Sequence, residues 1–285
     1  MALEAGRAAN IASPGPTPEL ELVRAAGRTV RRGPYRLVRL VQPGRRLEPA
    51  TKRQILETMI PRGSLRMLEG YDIHDYWSGR GDYLDGLDEW TLLDYDGDLV
   101  GWCGVCVHDG PAGRVMYIDT LGVMPGHRRR HVAGMLVFEA WWRTWRGHGP
   151  LPAMTLRTQS PVVFAMLLRF LPDWTYPRLP GLVPDLPPRA VAALRQTVEL
   201  TSPGKPFDPR TGIVRGALDY AGSLYGRRLP RSGHEALDRF FDREMDAADG
   251  DSIVACVLWD ARALARALAA YAIVRRRLVA PGGAA

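Results

Sequence analysis

The sequence predicts an α+β (α/β) fold in which helices flank a sheet built on an antiparallel meander. Three observations lead there. Residues 90–123 hold three strand-like runs separated by two turn signals, Asp96-Gly97-Asp98 and Asp109-Gly110-Pro111-Ala112-Gly113. The third run passes through a short turn into an amphipathic helical pattern. Beyond it, strand-like and helix-like stretches alternate. The 285 residues, 46% of them hydrophobic, supply the core of one extended domain.

Residues 1–33 mix Pro, Gly, Ala and Arg without sustained periodicity and are expected to be mobile. Tyr35–Val41 alternates as a strand. Residues 50–60 read as a helix with Thr51 as N-cap. Residues 69–89, rich in Gly, Asp and Tyr, read as a loop or short helical segment. Trp90–Tyr95 and Leu99–His108 form a hairpin, and Arg114–Val123 is its third strand. Arg130–Arg146 is a helix whose tryptophans, Trp141, Trp142 and Trp145, cover both faces, so one side is expected to meet further protein. Met154–Arg157 is a short strand, and Ser160-Pro161 opens a helix to about Phe170, with Ser as cap and Pro at its first position. After a proline-rich passage come a helix near Arg189–Val198, a strand within Ile213–Tyr220, a helix over 234–247, a strand over 252–259 and an alanine-rich helix over 261–278.

Composition excludes several classes. No apolar run reaches the roughly 18 residues needed to span a bilayer, and the first residues show no apolar signal core. Three cysteines do not make a disulfide framework, so a reducing cytoplasm is the expected setting. Cys103 and Cys106 lie within one strand, three residues apart, so their thiols point to opposite faces and no metal site is expected. The net charge of +7 rests almost wholly on arginine, with Lys52 and Lys205 the lysines. That charge attracts phosphorylated ligands, but no recognised nucleic-acid-binding module accompanies it.

The richest stretch is Leu121-Gly122-Val123-Met124-Pro125-Gly126-His127-Arg128-Arg129-Arg130-His131-Val132-Ala133-Gly134-Met135-Leu136. A strand, a turn and a helix N-terminus gather backbone N–H groups that have no partner within the helix, and arginines add full charge beside them. Such a place suits a diphosphate. His127 and His131 flank the arginines, yet no ordered Ser, His and Asp set supports a hydrolase.

Leu121, Val123, Pro125, Arg128, Ala133, Gly134 and Leu136 stand in a pattern that resembles motif A of the GNAT superfamily of acyl-CoA-dependent N-acyltransferases, and the following strand with the Ser160-Pro161 helix resembles its motif B. The resemblance spans roughly residues 34–175 and implies a mixed, mostly antiparallel central sheet flanked by helices, with a C-terminal helical elaboration. It divides the chain into a segment 1–33, an acyl-CoA-binding core 34–180 and an extension 181–285 that completes the sheet near 252–259 and ends in a helix. That last helix offers a surface for docking on the core or for homodimerisation.

The resemblance also implies chemistry: acetyl transfer from acetyl-CoA to a primary amine of a small molecule or a protein, by direct attack in a ternary complex, without a metal. The pantetheine arm would lie along Leu121, Gly122 and Val123 as an added strand. The diphosphate would sit on the N–H groups of Arg128, Arg129, Arg130, His131, Val132 and Ala133, with Gly134 allowing close approach. Gln159 or Ser160 would bind the pantetheine amide. His131 replaces the motif's central glycine, and its Cβ is expected to crowd the phosphates. Alternation places Tyr117, Asp119, Leu121 and Val123 on one strand face, which makes Asp119 the candidate general base. Tyr117 would line the acceptor pocket or pack. The implied proton-donating tyrosine is missing from 162–170, leaving Tyr176. Glu69, Tyr71, Asp72, His74, Asp75, Tyr76, Trp77, Asp82, Tyr83 and Asp85 suit a cationic acceptor. The alternative is a catalytically inactive module of the same shape that binds CoA or a partner.

Overall fold

The structure is a computed structural model that describes residues 17–60, 81–128, 130–178, 186–225 and 228–279. Of the acceptor segment, Glu69 to Trp77 lie outside these residues, as do Arg129 and residues 1–16.

The first described residues are not a mobile arm. Helix α1 (Pro18–Ala26) buries Leu20 and Val23, and β1 (Arg28–Arg32) pairs antiparallel with β2 (Tyr35–Val41). Sequence periodicity misses them for a physical reason. The helix is short, and β1 is an edge strand whose side chains are nearly all exposed, so it carries no alternation. Its arginines blunt that open edge against further pairing. After α2 (Pro43–Arg46), α3 (Pro49–Gln54) starts from Glu48 rather than Thr51, because Pro49 fits the first helical position, and it continues as a π-helical turn over Ile55–Met59.

The meander is as expected. Strands β3 (Glu89–Tyr95) and β4 (Asp98–Gly110) are joined across Asp96 and Gly97, whose φ angles of 51° and 89° give the left-handed pair that matches strand twist. Strand β5 (Gly113–Val123) returns beside β4. A 3₁₀ turn over Pro125–His127 leads to α4 (Val132–His148), β6 (Ala153–Thr158) and α5 (Pro161–Phe170). Ser160 caps α5, its Oγ accepting from the Val163 N–H at 3.4 Å. Then follow β7 (Thr175–Tyr176), α6 (Pro188–Thr201), β8 (Phe207–Asp208), β9 (Ile213–Val214), α7 (Glu235–Glu244), β10 (Ser252–Leu258) and α8 (Ala261–Val279). The strand expected over Ile213–Tyr220 is only two residues long, because Gly216 takes φ 58° and the chain breaks into turns.

Sheet order is β1-β2-β3-β4-β5-β6-β10-β9-β8, with β7 also on β10. Among the described strands only β5 and β6 pair in parallel, joined by the crossover through α4. The sheet is therefore mixed and mostly antiparallel, with β10 of the last third pairing directly with β6. One face packs α4, with Trp141 stacked on Trp259 at 4.2 Å and Phe138 on Tyr271 at 4.1 Å, so the tryptophan-rich helix does meet later chain. The other face packs α6 through Ala190, Ala193 and Leu194 over Val115, Val254 and Cys256. Buried Glu139 and Glu89 tie α4 to the first strands. Arg143 reaches both carboxylates, Arg32 reaches Glu139 at 2.6 Å and Arg39 reaches Glu89 at 2.5 Å.

No described helix is long and apolar enough to cross a membrane. Cys103 is buried while Cys106 donates to the Gly86 carbonyl on the opposite face, and no described cluster of His, Cys, Asp or Glu is suited to a metal.

Candidate active site

The site is built where β5 and β6 part. Their parallel ladder runs from Val115↔Ala153 to Ile118↔Leu156 and stops, although β5 continues to Val123 and β6 to Thr158. The cause is a β-bulge in β5. Thr120 pairs with Gly104 and Ile118 with Val105, so Asp119 is the extra residue. A bulge bends and twists its strand, here away from β6.

The bulge corrects the expected face. Tyr117 pairs with Cys106 and Leu121 with Cys103, residues on opposite faces of β4, so Tyr117 does not share a side with Leu121 and Val123. Tyr117 is buried on the side covered by α6. Asp119 sits half-buried at the fork itself, next to Thr120, whose hydroxyl bonds that of Tyr83. A bulge is not legible as a break in alternation when the strand on both sides is apolar.

Beyond the bulge the backbone alternates. The Met124 N–H bonds the Val100 carbonyl at 2.9 Å, and the Gly122 carbonyl faces Gly101 of β4. The N–H and C=O of Leu121 and Val123 therefore point away from β4 into the wedge, while those of Gly122 are spent on the ladder. Gly122 is thereby corrected as a backbone contact for a ligand strand.

The turn that follows is pinned by aromatic rings. His127 packs against Tyr35 and Tyr95 at 5.6 and 5.1 Å, and its Nδ1 lies 3.1 Å from the Tyr35 hydroxyl. Burial raises the Tyr35 pKa against the pull of Arg130. Helix α4 then begins after His131, which holds φ 61° and ψ 13° and makes no side-chain cap. The first-turn N–H groups of Val132, Ala133 and Gly134 thus face outward without a protein cap from this residue. His131 takes the left-handed conformation a glycine would favour, and its side chain is exposed rather than crowding the turn. Gly134 serves a different end from the expected one. A Cβ there would lie 2.8 Å from the Phe170 ring, so its smallness admits α5, not a phosphate.

Three further expectations are corrected. Gln159 is 1% exposed and committed elsewhere. Its Nε2 donates to the carbonyls of Asp251, Gly222 and Ala247 at 2.9, 3.2 and 3.3 Å, and its Oε1 accepts from the Leu224 N–H at 2.8 Å. It anchors the C-terminal extension and has no amide left for a pantetheine arm. Ser160, 3% exposed, is taken up by its cap and by the Tyr225 hydroxyl. Tyr176 lies on β7 beside Cys256, separated from β5 by β10 and β6, with its hydroxyl toward the Asp173 carbonyl. What the sequence did not reveal is Tyr225. It follows the anchored Leu224 and faces Ser160 and Arg128, and burial raises its pKa against both neighbours. Nothing in its local sequence marks it, because the long-range bonds of Gln159 bring it in.

The site thus joins a strand end, a wedge between two diverging strands, a tight turn and a helix start without a side-chain cap from His131. Residues 56–144 match the family model described as the Acetyltransferase (GNAT) family. No curated protein matches the chain. Among solved structures, it is similar to an aminoglycoside acetyltransferase from an uncultured soil metagenomic sample (17% identity, 43% of this chain and 78% of that one, TM-score 0.31). It is also similar to an aminoglycoside N-acetyltransferase in complex with CoA (15% identity, 49% and 86%, TM-score 0.33). A third is the diaminobutyrate acetyltransferase of Paenibacillus lautus in complex with L-2,4-diaminobutyric acid and coenzyme A (18% identity, 47% and 72%, TM-score 0.29).

Proposed function

We propose that this chain transfers an acetyl group from acetyl-CoA to a primary amine, of a small molecule or a protein, by direct attack within a ternary complex. The observation that carries the reading is the wedge. Leu121 and Val123 present backbone donors and acceptors at the point where β5 loses β6, and the turn after β5 leads straight to a helix start without a side-chain cap from His131. An extended arm bearing two amides fits the first, and a diphosphate fits the second. The carrier would be held by Leu121, Val123 and the N–H groups of Arg130, His131, Val132 and Ala133, the Arg128 N–H being spent on the Pro125 carbonyl at 3.2 Å. Asp119, at the fork, would take the proton from the attacking amine, directly or through water.

A second reading is a module of this shape that binds CoA or a partner and transfers nothing. The absence of a tyrosine from α5 and the displacement of Tyr176 favour it. Calorimetry with acetyl-CoA, followed by thiol release across a panel of amines, separates the two. Asp119→Asn is expected to cut turnover about 100-fold while leaving acetyl-CoA affinity within about threefold. Unchanged turnover removes Asp119 from the reaction, and a chain that binds acetyl-CoA yet releases thiol with no amine is the inactive module.

A further inference from the structure

The wedge is not vacant in the unloaded chain. The Val123 carbonyl, which alternation aims at the missing β6 partner, already accepts the Nε–H of Arg128 at 3.1 Å. The Arg128 side chain folds back to the strand end through this bond, although the residue as a whole stays exposed to solvent. Behind it stands the extension. Gln159 fixes Gly222 and Leu224 through backbone bonds, and Tyr225, the next residue, faces Arg128 on one side and Ser160 on the other. Ser160 is the first residue beyond Gln159 and the cap of α5, so it is rigidly placed.

On the acyl-CoA reading, from which this inference follows, we infer that Arg128 gates the carrier groove: its guanidinium occupies the Val123 carbonyl until a carrier amide replaces it, and Tyr225 of the C-terminal extension holds it in place. Loading exchanges one N–H···O bond for another. The Arg128 N–H leaves the Val123 oxygen, an amide N–H of the carrier takes it, and the guanidinium turns outward toward solvent or the carrier's phosphates. No covalent step is involved. Tyr225 acts through Arg128 and is a positioning residue. Recruitment of the carrier is thereby coupled to the seating of residues 222–225, which lie about a hundred positions along the chain from the turn they guard.

The test follows the Arg128 Nε–H by nitrogen-15 NMR in the full chain, with and without CoA, beside calorimetry on wild type, Arg128→Ala and Tyr225→Ala. Without CoA, the Nε–H is expected to exchange slowly, and Tyr225→Ala to speed that exchange. With CoA, protection at this site is lost. Arg128→Ala is expected to bind CoA about fivefold tighter, the effect of one net hydrogen bond no longer competing. Heat from Arg128→Ala but none from wild type also supports the gate. If CoA binds wild type while the Nε–H stays protected, or if Arg128→Ala binds ten times more weakly, the gate is overturned and the acyl-CoA reading survives. If neither protein gives heat, the acyl-CoA reading falls and the gate with it. The wild-type spectrum needs no substitution, so a misfolded variant does not decide the outcome.

Discussion

Gln159→Ala is the sharpest probe of how the extension is held. The side chain is 1% exposed and makes four bonds, three through its amide nitrogen and one through its oxygen. An amide nitrogen has two hydrogens, so three carbonyls share them, and the strong bonds are those to the Asp251 carbonyl at 2.9 Å and from the Leu224 N–H at 2.8 Å. Truncation leaves these backbone groups buried without the partner they had. At about 1–3 kcal/mol for each of two such groups, softened by partial relaxation, the expected loss is about 3 kcal/mol. Melting temperature is then expected to fall by roughly 5–10 °C for a chain of this size. Gln159→Met keeps the volume and removes the bonds, so it should cost nearly as much, and a carboxylate from Gln159→Glu, set against three carbonyls, should cost more. Urea denaturation gives the magnitude. Hydrogen exchange gives the location, with amides of 222–225 and 247–251 losing protection first. Were Gln159→Met to leave the urea midpoint unmoved, the four bonds would hold nothing, and the account of the extension would have to be abandoned.

Three other outcomes follow from particular geometry. His131→Gly should stabilise the chain by about 0.5–1 kcal/mol, since relief of a left-handed backbone outweighs the added freedom of the unfolded chain, whereas His131→Ala keeps the strain and should not; melting curves of the pair settle it, and equal gains from both would contradict the reading. Gly134→Ala should be near neutral alone, a helix-propensity gain set against the Phe170 ring, but stabilising by about 0.5–1 kcal/mol in a Phe170→Leu background. Burial and then Glu139 push Tyr271 from 10.0 to about 12, so the folded state holds that proton longer than the unfolded chain. The resulting stability is complete below pH 10.0 and drains away as pH rises toward about 12, and urea midpoints across that range should flatten in Tyr271→Phe.

Much of this molecule is readable where a side chain and its neighbours in sequence decide the structure. Asp96-Gly97 specifies its own turn, Ser160-Pro161 its own helix start, and 90–123 a meander whose register follows from those turns. The parting of β5 from β6 before Leu121 and Val123 is visible only in the structure. What fails is decided at a distance. The bulge at Asp119 is a compromise between β4 and β6 and leaves no mark in a run of apolar residues. Gln159 looks like a ligand residue until Asp251, Gly222 and Leu224 arrive from up to 92 positions away. Tyr225 is invisible for the same reason, and β1 escapes notice because an exposed edge needs no alternation.

Because β10 lies between β6 and β9, the inner flank of β6 stays open until nearly a hundred residues after it have been made. Five of the six β6 side chains are destined for the interior, so a nascent or prematurely terminated chain carries an apolar, unsatisfied strand margin. Biosynthesis, more than the finished molecule, is where this protein stands most exposed to self-association, and a chain cut before residue 252 should reach the insoluble fraction.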